Sequence, residues 1–288
     1  MSVSKTSTDA KTHRRISVTD IMARKQDAVP VVCLTAYTAL TAKLLEDDVD
    51  LLLVGDSLGM VIYGMETTVG VSLDMMIAHG AAVVRGSSKP RIVVDLPFGS
   101  YQESPAAAFR VAARVMSETG CNAVKLEGGR EMAETVAFLV ERGIPVMGHI
   151  GLTPQSVHAM GGFKVQGKQA DHGRKLVQAA KSLAHAGCYA IVLEGVPVRV
   201  AKIVTDSIDI PTIGIGAGMH TDGQVLVYHD LLGIEDRFVP KFVRRYADIK
   251  GASVEAVRAY AADVRSGAFP SHDEAYHMDD EQAAALEG

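Results

Sequence analysis

The sequence predicts a closed (β/α)₈ TIM barrel built as a single domain. Two patterns carry that expectation. Seven short apolar runs alternate with helical stretches, and the runs are continuous rather than alternating, as in parallel strands buried on both faces. A strand–helix module also recurs: GCNAVKLEG from Gly120 matches GCYAIVLEG from Gly187, an offset of 67 residues. Each copy leads through a helix to an Ile-Pro strand, at Ile144-Pro145 and Ile210-Pro211. One βαβ unit takes about 30 residues or more, so the offset spans two βα units. A repeated βα module and seven strands favour a closed barrel over an open doubly wound sheet, and 288 residues suit one barrel of roughly 250.

The elements follow in order. Residues 1–15 are Ser/Thr/Lys-rich without an apolar segment, and read as a disordered arm rather than a secretory signal. The strands are VPVVCLTA from Val29, VDLLLVGD from Val49, RIVVDLPF from Arg91 and NAVKLEGG from Asn122. IPVMGHIG from Ile144, YAIVLEGV from Tyr189 and IPTIGIGAG from Ile210 complete the seven, and the eighth is expected near Arg237–Val243. Ser72 caps a helix running to Gly86. Ser104-Pro105 sets an N-cap and a first-turn proline for a helix that stops at Gly120. Pro197 opens another helix, and Gly143 and Gly187 end two more. The barrel is expected over residues 16–270, and the acidic stretch 271–288 reads as a disordered tail.

Composition narrows the function. Twenty-nine basic against 34 acidic residues give a net charge of −5, which offers no basic field for nucleic acid or an anionic membrane. No apolar run approaches the ~18 residues of a membrane span. Cys33, Cys121 and Cys188 lie in apolar runs without a Cys-x-x-Cys spacing, which fits small core residues in a reducing cytosol. The chain is therefore expected to be cytoplasmic, acting on small molecules.

Chemistry in a barrel sits at the C-terminal ends of the strands. Asp56, Asp95, Glu127, His149 and Glu194 each follow such a strand and would ring one mouth. Asp56 and Asp95 are hard oxygen donors suited to Mg²⁺, with Glu127 as a third carboxylate that reaches the metal directly or through water. Lys125 lies two residues before Glu127, so both face the interior. There Lys125 either pairs with Glu127 or also binds an acidic substrate's carboxylate. Glu194 holds the same place in the second repeat but has Val192 where the first has Lys125. An acid without that cation is the better candidate for a general base. His149 reads equally well as a hydrogen-bonded core residue. The glycine-rich stretch 214–218 is a phosphate loop or a tight turn, and residues 161–167 a lid or an ordinary exposed loop.

VGDSLGMVIYG from Val54, DLPFGSY from Asp95, VKLEGG from Val124 and GHIGLTPQSV from Gly148 together resemble the ketopantoate (3-methyl-2-oxobutanoate) hydroxymethyltransferase family. GGFKVQGK from Gly161 and GIGAGMHTDGQVLVYHDLLG from Gly214 extend the resemblance over Ile16 to Pro270. It implies transfer of a hydroxymethyl group from 5,10-methylenetetrahydrofolate to 3-methyl-2-oxobutanoate through a Mg²⁺-stabilised enolate. The products would be ketopantoate and tetrahydrofolate, at the first step of pantothenate and coenzyme A synthesis. It implies Asp56 and Asp95 as Mg²⁺ ligands with Glu127 completing the metal site. Asp56, Ser57, Asp95 and Lys125 would contact the keto acid, with His149 near it and Glu194 as proton acceptor. A large homo-oligomer, often a decamer, is implied too. The chain departs from the family pattern at Thr38 (usually Asp), His158 (usually Asn) and Met219, and in its tail. The alternatives are another Mg²⁺-enolate barrel enzyme, such as a lyase or mutase of the phosphoenolpyruvate type, and a non-catalytic keto-acid-binding barrel.

Overall fold

The computed structural model describes residues 14–235 and 239–287. Of the expected N-terminal arm, residues 1–13 lie outside the described residues. Arg15 is anchored, donating to the carbonyl of Pro90 at 2.6 Å.

Eight parallel strands close in sequence order, each paired with the next and the last with the first. They are β1 (Val31–Thr35), β2 (Leu51–Val54), β3 (Arg91–Asp95), β4 (Ala123–Glu127), β5 (Val146–Gly151), β6 (Ala190–Glu194), β7 (Thr212–Ile215) and β8 (Gly223–Leu226). The eighth strand is thus not at 237–243: residues 239–243 are irregular, and 236–238 lie outside the described residues. Pro240 there lacks the N–H that a ladder needs. The strand is instead the short segment GQVL, which bridges Ile213 of β7 and Val31 of β1 through Gly223.

The helices are α1 (Val18–Gln26), α2 (Ala39–Leu45), α3 (Leu58–Val61), α4 (Leu73–Gly86), α5 (Pro105–Thr119), α6 (Ala133–Val140), α7 (Val157–Met160), α8 (Ala170–His185) and α9 (Val198–Asp206). The caps follow the sequence. Ser72 accepts from the backbone N–H of Met75, and Ser104 from that of Ala107. Thr38, the departure from the family pattern, caps α2 by accepting from Thr41, which is the work an Asp would do there. Helix α1 was not expected. Its Ser17 and Asp20 form a capping box, and its Ile21 is fully buried with the residues that fill the barrel.

Period-2 alternation along the strands sorts the core into two shells. Leu52, Ile92, Val124, Val146 and Ile191 face outward against the helices. Leu51, Val93, Ala123, Met147 and Val192 point inward. The inward rows continue upward into Asp95, Lys125, Glu127, His149 and Glu194, so one alternation fills the floor with apolar groups and the mouth with ionisable ones.

The compact barrel unit runs to Tyr228 with 239–243, short of the expected boundary at 270. A second unit, described by itself, holds residues 229–235 and 244–287, including α10 (Tyr228–Leu231, whose first residue belongs to the barrel unit), α11 (Ile249–Ser266) and α12 (Asp280–Glu287). Residues 271–287 are therefore not devoid of structure. Asp280 and Glu281 occupy the first turn of α12, where acids favour a helix, and three alanines follow.

Candidate active site

Asp56, Asp95, Lys125, Glu127 and His149 are all buried at the C-terminal ends of the strands. Glu194 keeps 17 % of its side chain exposed. Lys125 Nζ lies 3.1 Å from Asp95 Oδ1 and 3.4 Å from His149 Nδ1. The pairing partner of Lys125 is therefore Asp95 on the neighbouring strand, not Glu127 on its own. His149 stands between two acids, with Nδ1 3.5 Å from Glu127 Oε1 and Nε2 3.2 Å from Glu194 Oε2. This corrects the expectation that Glu194 lacks a cation: its partner comes from β5, across the ladder, where a comparison of two strand sequences cannot find it. The backbone at the end of β5 allows this approach because Gly151 has φ +100°. A Cβ at Gly151 would lie 2.2 Å from the carbonyl of Glu194.

Asp56 follows β2 through Gly55, and its backbone N–H donates to Asp95 Oδ2 at 3.1 Å. Ser57 hydrogen-bonds the hydroxyl of Tyr37 at 2.9 Å. Gln155, in the turn after β5, donates from Nε2 to Asp56 Oδ2 at 2.8 Å and to the carbonyl of Leu96 at 2.9 Å. Its backbone N–H donates to Glu127 Oε2 at 3.0 Å. Tyr101 is fully buried behind it, 2.7 Å from Gln155 Oε1. Gln155, Tyr101 and Tyr37 escape a search for ionisable strand ends because none is charged at neutral pH. The signal that could have found Gln155 is a long polar side chain in the turn that follows a buried strand.

The electrostatics are those of an acid-rich, dry mouth. Burial and then repulsion by Asp95 and Glu127 push Asp56 up to about 8. Burial also raises Asp95, against the opposing pull of Lys125. Burial works to lower Lys125, but Asp95, Glu127 and Asp56 outweigh it and hold the ammonium well above its ordinary range. For His149, burial and Lys125 push down, while the close carboxylates of Glu127 and Glu194 prevail and raise it to about 9. Four carboxylates face two cations, and Asp95 Oδ1 is buried with no aligned hydrogen-bond donor despite the nearby ammonium. An additional cation with oxygen ligands fits that donor set. Among the described residues no three His, Cys, Asp or Glu side chains converge as a ready metal cluster. Both oxygens of Glu127 are engaged, by Gln155 and by His149.

The glycine-rich stretch forms a packed turn. Gly216 and Gly218 have left-handed φ and close on Phe242 and Val198, which leaves the tight-turn reading. Gln166, in the stretch 161–167, donates its backbone N–H to the carbonyl of Gly195 at 2.8 Å. A cleft of about 990 Å³ opens beside this stretch and the ends of β4 and β5, lined by Gly128, Thr153, Met160, Gln166 and Lys175 among others. All three cysteines are free and buried. No helix among the described residues is long and apolar enough to cross a membrane.

The model of the family described as ketopantoate hydroxymethyltransferase matches residues 15–272. The chain belongs to that family. It is therefore a transferase. The 3-methyl-2-oxobutanoate hydroxymethyltransferase of Rhodospirillum rubrum is 62% identical over 90% of this chain and 93% of its own. That of Paracoccus denitrificans is 59% identical over 87% and 91%. Among solved structures, phosphonopyruvate hydrolase in complex with oxalate and Mg²⁺ matches at a TM-score of 0.58 and 14% identity, covering 89% of this chain and 92% of that one. 2,3-Dimethylmalate lyase, a member of the PEP mutase/isocitrate lyase superfamily, matches at 0.57 and 14%, covering 94% of each. At such identities the likeness is one of fold, and the hydroxymethyltransferase family shares its barrel architecture with these proteins.

Proposed function

We propose that this chain transfers a hydroxymethyl group from 5,10-methylenetetrahydrofolate to 3-methyl-2-oxobutanoate, giving ketopantoate and tetrahydrofolate. The observation that carries the reading is the convergence of Asp56, Asp95, Lys125, His149 and Glu194 in one buried mouth. Asp56 and Asp95 would hold Mg²⁺, with Glu127, tied to the Gln155 backbone, completing the site through water. When bound there, Mg²⁺ supplies Lewis acidity that draws electron density toward the keto oxygen.

Lys125 places a positive charge beside Asp95, where it meets the keto acid's carboxylate; Ser57, held by Tyr37, adds a hydroxyl contact. Glu194 takes the proton from C3, and His149 Nε2, 3.2 Å away, orients its carboxylate. The C3 carbon then bonds to the folate's methylene as one of that carbon's two C–N bonds breaks. Water supplies the hydroxyl of the product as the second C–N bond breaks, and the two folate nitrogens leave with one proton from C3 and one from water, as tetrahydrofolate. The cleft beside β4 and β5 has the size of a small-molecule site and room for the folate.

The enzyme would work in the cytoplasm as a large homo-oligomer, a decamer by its family resemblance. The deciding assay is ketopantoate formation from both substrates with and without Mg²⁺. Formation that needs methylenetetrahydrofolate and Mg²⁺ supports the reading. Cleavage or rearrangement of a keto acid without folate would replace it with a lyase or mutase.

A further inference from the structure

Gln155 touches three strand ends from its place after a fourth. Its Nε2 reaches Asp56 after β2 and the carbonyl of Leu96 after β3, and its N–H reaches Glu127 on β4, while the residue itself follows β5. The amide orientation is fixed by its neighbours. On one side are two acceptors, Asp56 Oδ2 and the Leu96 carbonyl. On the other are two donors, the Tyr101 hydroxyl at 2.7 Å and Gln102 Nε2 at 3.2 Å. Tyr101 is directional as well: its oxygen accepts the N–H of Glu127 at 3.0 Å. Its single proton therefore goes to the nearer acceptor, Gln155 Oε1, rather than to the Glu127 carbonyl at 3.1 Å. A reversed amide would set oxygen against oxygen at Asp56 and Leu96.

We propose that Gln155, with Tyr101 behind it, is a positioning residue that sets the spacing of Asp56 and Glu127 and thereby the affinity of the mouth for a divalent cation. The inference rests on the reading that Asp56 and Asp95 hold that cation. One oxygen of each acid is already fixed by the protein: Asp56 Oδ2 by Gln155, Asp95 Oδ2 by the N–H of Asp56. Asp95 Oδ1 faces only the Lys125 ammonium, at 3.1 Å and without an aligned hydrogen bond, and Gln155 holds Asp56 beside it. Glu127 is held by the Gln155 backbone N–H. Hydrogen bonds of this kind, made to the ligands rather than to the metal, typically change metal affinity ~10–100-fold when removed.

The test uses Mn²⁺ binding to the metal-free full-length protein, read by electron paramagnetic resonance without substrates. Gln155→Met keeps length and shape but removes both donors and the acceptor, leaving the backbone bond to Glu127. It should bind Mn²⁺ ~10–100-fold more weakly than wild type. Tyr101→Phe, which frees one end of the amide, should shift affinity the same way by less. In turnover, Gln155→Met should need more Mg²⁺ for half-saturation yet recover most of kcat at saturating Mg²⁺, which a merely structural defect would not do. A folded Gln155→Met with wild-type Mn²⁺ affinity overturns the inference. If that variant does not fold, unchanged affinity in Tyr101→Phe overturns it instead. Asp95→Asn separates the two layers. If it binds Mn²⁺ like wild type, the cation is not at this mouth and the functional reading fails together with the inference. If it loses Mn²⁺ while Gln155→Met keeps it, only the inference fails.

Discussion

Replacing Glu194 by Gln removes a proton acceptor while keeping the shape of the side chain. The structure sets the expected size of the effect. The variant's amide oxygen can still sit 3.2 Å from His149 Nε2, so the mouth keeps its geometry, and Asp56, Asp95 and Lys125 still bind the keto acid. The remaining base within reach is His149, which Glu127 still holds toward its protonated form, so it can restore only part of the lost proton transfer. General-base catalysis contributes ~10²–10⁴-fold, about 2.7–5.4 kcal/mol of barrier. The assay is exchange of the C3 proton of 3-methyl-2-oxobutanoate with D₂O, followed by NMR, with Mg²⁺ and without folate. Wild type should exchange, and Glu194→Gln should exchange at least ~10²-fold more slowly while binding the keto acid within a few-fold of wild type. If His149 takes over, the variant's rate should climb with pH as its ring loses the proton. Exchange at the wild-type rate at pH 7 would refute the assignment of Glu194 as the base.

Asp95→Asn should abolish or strongly weaken the Mg²⁺ dependence of turnover while circular dichroism stays native; an unchanged Mg²⁺ titration would remove Asp95 from the cation site. Metal-free protein should lose stability as pH rises. Asp56 and His149 both have folded pKa values above their unfolded ones, so their contribution is full at low pH. It is lost through about 8 for Asp56 and about 9 for His149. Melting temperatures in EDTA between pH 6 and 9 should fall, and His149→Gln should flatten the upper part of that fall. Gly151→Ala should destabilise by ~1–3 kcal/mol in urea unfolding, from backbone strain at φ +100° and the clash with Glu194. Light scattering at micromolar protein should give a particle several times the 30.6 kDa chain mass; a monomer would count against the oligomer.

Seven of the eight strands were legible because each is a continuous apolar run, a pattern that burial on both faces requires. β8 was not, because it is four residues long with a glycine and an exposed glutamine. The longer run around Val239 and Phe242 looked more apolar but carries Pro240. Asp95, Glu127, His149 and Glu194 were legible because alternation fixes which strand residues face inward, and Asp56 from its place just after β2. Their partners were not. Lys125 pairs with Asp95, and His149 with Glu194, through cross-strand register, which depends on how neighbouring strands stagger. Gln155 was invisible for a different reason. Its importance lies in how many neighbours it satisfies, a quantity that belongs to the folded molecule rather than to the residue type.

His149 has one face toward Glu127 and the other toward Glu194, so a single ring serves acids from both halves of the internal repeat. The two acids are consequently not energetically independent. Removing either carboxylate leaves the imidazole with a single acidic partner beside the Lys125 ammonium. In a double-mutant cycle over Glu127→Gln and Glu194→Gln, the combined change in stability should differ from the sum of the single changes. The usual range for side chains in one network is ~0.5–3 kcal/mol. The repeated strand thus shares one balance point between its two copies: a change to one acid is felt by the other through His149.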